Sequence, residues 1–121
     1  MPTKDEHVTW AAHDRAFWTS FDLSTTPFVD WVVTGIFYEA VHWVEAFLAT
    51  KGYHSSSHRD RRDAIAVRYV SDLGAIQGDY EILNTESVDA RYRCYKHTSH
   101  DVRQDLVPLL DSIKSHISAL L

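Results

Sequence analysis

The chain has 121 residues, enough for one domain with a true core and no staples, and its 45% hydrophobic and 12% aromatic content is globular rather than disordered. One cysteine, Cys94, excludes an intrachain disulfide framework and a cysteine-based zinc site, and a net charge of −5 with histidines neutral disfavours broad polyanion binding while leaving room for a local basic patch. No charged-then-apolar leader opens the chain, and Asp30, Glu39, His42 and Glu45 break its longest apolar segments, so a cytoplasmic protein without a membrane partner is expected.

Residues 1–121 are expected to form one domain, without repeats or linkers, and few glycines and prolines punctuate it. Trp10, Phe17 and Phe21 recur at helical spacing and predict a first helix from about Lys4 to Phe21. Leu23 to Thr25 form the turn. Thr26 as cap, Pro27 in the first position and Asp30 in the first turn open a second helix, which Gly52 stops. After the His- and Ser-rich stretch Tyr53 to His58, Ser57 caps a third helix reaching about Ser71. Gly74 and Gly78 bracket a short connection to a fourth helix, roughly Asp79 to Tyr95. Val102, Leu106, Leu109, Leu110, Ile113, Ile117 and Leu120 mark one buried stripe on a last helix. Pro108 falls inside that stripe and either kinks the helix or marks a start nearer Asp105. The expected fold is all-α, a four- to five-helix up-and-down antiparallel bundle.

The second helix carries polar residues within an apolar majority. At about 100° per residue, Asp30, Thr34 and Glu45 share a sector roughly 60° wide, the expected solvent stripe. Glu39 and His42 fall outside it. Either the helix end is less buried than it looks, or both side chains are buried and need partners. On the fourth helix Tyr80, Leu83, Ser87, Arg91 and Cys94 share one face, with Arg93 pointing away. A core-facing guanidinium beside a core-facing carboxylate predicts a buried Arg91–Glu39 contact with His42 close by, a polar core that fixes the register of two helices.

The segment Phe37 to Ala49 (FYEAVHWVEAFLA), followed by Gly52, His54, His58 and Arg62, resembles the HEPN superfamily of nucleotide-binding helical domains. So does Tyr80-x-x-Leu83 followed by Ser87 and Ala90-Arg91-Tyr92, leading into a final amphipathic helix. The resemblance runs from about Val32 onward. It implies an up-and-down bundle, commonly a homodimer, tied to RNA cleavage, nucleotide binding or toxin–antitoxin modules, with a nucleotidyltransferase-type partner protein among the options. Members that cut RNA carry an Arg, four to six residues and then a His; Arg91 and His97 match with five, Arg93 and His100 with six. Such a pair needs no metal: the histidine moves a proton and the arginine steadies the phosphate, so Arg91 and His97 are the candidate catalytic residues.

Three functions therefore stand open. One is a nucleotide- or RNA-associated accessory or toxin-type module, with or without metal-independent ribonuclease activity. A second is a non-catalytic interaction bundle in which Arg91, Glu39 and His42 only lock helices together. A third is a metal-binding bundle using His54, His58, His97 and His100, although neither metal nor cofactor is expected. His54, His58, Arg59 and Arg62 also form a candidate phosphate-contacting edge, offset by Asp60 and Asp63. Trp31, Trp43 and Phe47 read as core or interface. A second helix more apolar than one small bundle can cover argues for a homodimer.

Overall fold

In the computed structural model, which describes all residues from Met1 to Leu121, helices account for nearly all regular structure and there is no strand. Helix α1 (Lys4–Thr19) opens on a capping box, with Glu6 N–H donating to Thr3 Oγ1 and Thr3 N–H to Glu6 Oε1. Its buried residues are His7, Ala11 and Trp18, whereas Trp10 and Phe17 are 52% and 44% exposed. A Cβ at Gly35 would meet Trp18 Cβ at 2.9 Å and Phe17 Cδ2 at 3.1 Å, so the bare backbone of the neighbouring helix lets α1 approach closely.

Helix α2 (Val29–Thr50) is the centre of the fold, with fifteen of its 22 residues buried. It packs against α1, α5 (Gln77–Tyr92) and α7 (Val107–Leu120). By length and composition α2 would cross a membrane, but 83% of its most apolar window is buried inside the chain, the signature of a core helix. It starts two residues later than expected, at Val29 rather than Pro27. Thr26 Oγ1 accepts from Phe28 N–H, so Thr26 closes the preceding turn rather than capping α2. Gly52, at φ +67°, ends the helix with a Schellman motif: Tyr53 N–H donates to Leu48 O and Gly52 N–H to Ala49 O.

Ser57 caps α3 (His58–Asp63) through Asp60 N–H, as expected. The helix does not run on evenly to Ser71. It widens into a π-turn over Ala64–Arg68, resumes as α4 (Val70–Leu73), and tightens into a 3₁₀ turn over Gly74–Ile76. Gly78 lies inside α5 and not in a connection. Helix α5 stops at Tyr92, short of Tyr95, because Cys94 adopts φ 53° and turns the chain while Arg93 and Tyr95 N–H both donate to Asp89 O. A short α6 (Ser99–Asp101), capped by Thr98, leads through a second π-turn (Val102–Leu106) into α7. Pro108 sits in the first turn of α7, where no N–H is needed, and the π-turn absorbs the break. Of the expected stripe, Val102, Leu106, Leu110, Ile113 and Ile117 are buried and Leu109 is partly buried, whereas Leu120 is exposed at the helix end. These helices form an all-α bundle around one core cluster.

Candidate functional site

Glu39 is fully buried, but its partner is not Arg91. Arg15 Nε donates to both Glu39 oxygens at 3.0 and 3.1 Å, and Arg15 Nη2 to Oε2 at 3.0 Å. The indole N–H groups of Trp18 and Trp43 add bonds of 2.9 and 3.1 Å. Arg15 also reaches Asp111 at 3.1 Å, so one guanidinium joins α1, α2 and α7. The expected Arg91–Glu39 contact is thereby corrected, and with it the polar core of Glu39, His42 and Arg91. Both charges of the observed pair are bonded on several sides, as burial requires. His42 belongs to a different group: its Nδ1 lies 3.1 Å from Nδ1 of His7, and its Nε2 lies 3.7 Å from Asp14.

The expected solvent stripe on α2 is also corrected, since Thr34 and Glu45 are buried. Thr34 satisfies its hydroxyl on Asp30 O at 2.8 Å. Glu45 accepts from Arg61 Nε at 2.7 Å and from Ser55 Oγ, a second buried acid–guanidinium pair that ties α3 to α2. Asp30 alone of the three faces solvent.

Arg91 sits where the start of α2 meets the end of α5. It donates to Ser87 O (3.2 Å), Ser87 Oγ (3.0 Å) and Tyr38 Oη (3.0 Å), and its guanidinium lies over the rings of Tyr38 and Tyr92 at 5.5 and 5.1 Å. The guanidinium is thus held in one orientation between aromatic rings. Two adjoining depressions share Asp30, Ala90 and Arg91. The larger, about 530 Å³, continues along Pro27, Cys94, Tyr95, Lys96 and His97; the smaller, about 270 Å³, continues along Trp31 and Tyr92. Trp31, Tyr92 and Tyr95 are exposed on the rim.

Arg91 and His97 therefore line one cleft, as the Arg–His spacing anticipates. His97 itself is withdrawn. Its side chain is 2% exposed, Nε2 lies 2.6 Å from Glu86 Oε2, and Nδ1 is sealed from solvent without a partner. Tyr95 packs edge-on against its ring at 4.6 Å. Sequence reasoning did not find Glu86, Tyr38 or Lys96, and only the Tyr38 position on the Arg91-facing side of α2 carried a periodic signal. Arg93 points to solvent beside Asp89, and His100 is exposed on α6.

The edge of His54, His58, Arg59 and Arg62 is partly spoken for. Arg62 makes a two-pronged bond to Glu81, both arms 2.8 Å, and His58 Nδ1 lies 2.9 Å from Arg61. Burial lowers the His58 pKa, and the cations of Arg61 and Arg91 lower it further. Arg59 is exposed and His54 half-buried. No three His, Cys, Asp or Glu side chains gather closely enough to hold a metal by themselves, so His54, His58, His97 and His100 do not form the cluster considered from sequence. No family model matches the chain, and neither a curated protein nor a solved structure matches it.

Proposed function

We propose that this bundle is a HEPN-like, nucleotide- or RNA-associated accessory module that binds a phosphate and a neighbouring base at the Arg91 cleft and does not cut the chain it holds. The observation that carries the reading is the fixed Arg91 guanidinium, anchored on Ser87 and Tyr38 between two depressions rimmed by Trp31, Tyr92 and Tyr95. Arginine held for forked phosphate contact and exposed rings for stacking are the two parts that single-stranded nucleic acid needs. Lys96 adds a second cation on the cleft wall.

Binding is favoured over cleavage because His97 offers no free ring nitrogen to the cleft: Glu86 occupies one and packing seals the other. A general base must reach the proton it takes. A cytoplasmic setting, a homodimer and a nucleotidyltransferase-type or antitoxin partner belong to the same proposal through the resemblance. The physical ground for the homodimer has moved. Helix α2 is covered within the chain, so self-association would use exposed aromatics such as Trp10 and Phe17 on α1. Those same rings support the second reading, a non-catalytic protein-interaction bundle.

Fluorescence anisotropy with a labelled short oligouridylate, competed by ATP, tests the site. Lys96→Ala and Tyr92→Ala are both exposed positions, so each should weaken binding at least fivefold without moving the melting temperature. Unchanged affinity in both variants would remove the cleft as the site. RNA cleavage that disappears in His97→Gln would replace the binding reading with a ribonuclease.

A further inference from the structure

We propose that His7 and His42 form a two-imidazole site for a borderline divalent transition metal, Zn²⁺, Ni²⁺ or Cu²⁺, clasping α1 to α2. The site is independent of the Arg91 cleft. His7 stands in the first turns of α1 and His42 near the middle of α2, and their Nδ1 atoms face each other at 3.1 Å. Two imidazole nitrogens bound at about 2.05 Å to one ion lie about 2.9 Å apart at a right angle and about 3.4 Å apart at the tetrahedral angle. The observed separation falls between those limits. The spacing of the two nitrogens is thus that of a chelating pair, with a hydrogen bond now joining the rings.

Ligation also needs neutral rings. Burial lowers the pKa of His7, and burial together with the facing His7 takes His42 down to about 4. Both rings are therefore uncharged near neutral pH, and the one proton shared between the facing Nδ1 atoms must leave or move to an outer nitrogen for both to ligate. The outer nitrogen of His42, Nε2, faces the Asp14 carboxylate at 3.7 Å. That is the arrangement that orients a ligating histidine from behind, within a small side-chain adjustment of a hydrogen bond. Trp10 stacks loosely over the His42 ring, inclined by 26° with the centroids 6.2 Å apart.

An open cavity of about 330 Å³, walled by Pro2, Glu6, His7, Trp10 and His42, gives an ion and its waters a way in. Glu6 is the one acid on that wall, and one of its oxygens is engaged in the helix cap. Because the protein supplies two fixed ligands and not three, water completes the coordination and the ion exchanges. Cys94 is absent from the cavity wall, so nitrogen and oxygen donors select borderline ions over soft ones.

The test is calorimetric titration of EDTA-treated protein with each ion. One ion per chain should bind at micromolar strength, and His7→Gln and His42→Gln should each weaken it at least tenfold, while His100→Gln leaves it unchanged. Binding that survives both substitutions, or no binding to the wild type, overturns the proposal. Should either variant fold poorly, long-range ¹⁵N–¹H spectra of the wild type decide. Zinc should shift the Nδ1 resonances of His7 and His42 together, and unmoved Nδ1 resonances would mean the rings only share a proton.

Discussion

Arg15 holds one arm of its guanidinium on Glu39 and another on Asp111, while Trp18 and Trp43 supply indole donors to the same buried carboxylate. Removing the guanidinium would leave the buried Glu39 carboxyl group among apolar neighbours with only the two indole donors. Arg15→Met keeps the stem packing and isolates the lost charge, and it should cost about 3 kcal/mol of stability. Arg91→Met loses bonds to Ser87 and Tyr38 at a half-exposed site and should cost about 1 kcal/mol. Urea unfolding at neutral pH distinguishes the two, and the reverse order would restore Arg91 as the structural arginine. That Glu39 needed a cation was legible from its place among apolar residues. Which cation was not, because a helical wheel assigns a face but neither the height nor the neighbour of that face. Trp43, four residues on from Glu39, was within reach of the same helix face and was a readable signal.

Helix α1 rests on α2 at Gly35, where the missing side chain sets the distance between two backbones. An added methyl at Gly35 would sit 2.9 Å from Trp18 Cβ and 3.1 Å from Phe17 Cδ2. Trp18 Cβ is bound directly to its backbone and cannot swing aside, so α1 itself must shift. Gly35→Ala should therefore destabilise by about 1–3 kcal/mol despite the better helix propensity of alanine. Gly78, on α5, meets nothing within 4 Å of an added methyl, and there the same substitution should stabilise by about 0.5 kcal/mol. Paired thermal melts read the opposite signs, and two destabilised variants would contradict the packing account. Helix existence was legible throughout, as were the Ser57 cap, the Gly52 stop and the α7 stripe, since each has a local cause. The two π-turns and the early end of α5 at Cys94 were not. Pro108 announced a break near the second π-turn without fixing its form, whereas no residue pattern marked the first π-turn or the positive φ of Cys94.

Taken whole, the chain pairs an acidic surface with one small cationic cleft, and the two make opposite demands on a polyanion. Of its arginines, Arg15, Arg61 and Arg62 are committed to Glu39, Glu45 and Glu81, which leaves fewer cations to meet a polyanion. Charge composition alone disfavours broad polyanion binding. The cleft itself was half legible, because the spacing of Arg91 and His97 brought both to one wall but could not show Glu86 closing over His97. Binding through Arg91 and Lys96 alone should release few counterions. With two phosphate contacts on a single strand, the slope of log affinity against log salt should be about −1.4, so raising NaCl fourfold costs only about sevenfold in affinity. Anisotropy of an oligouridylate between 50 and 200 mM NaCl, values chosen on the order of physiological ionic strength, measures that slope directly. A slope of about −4 or steeper would require six or more phosphate contacts, more than the cleft supplies, and would move the interface to another face.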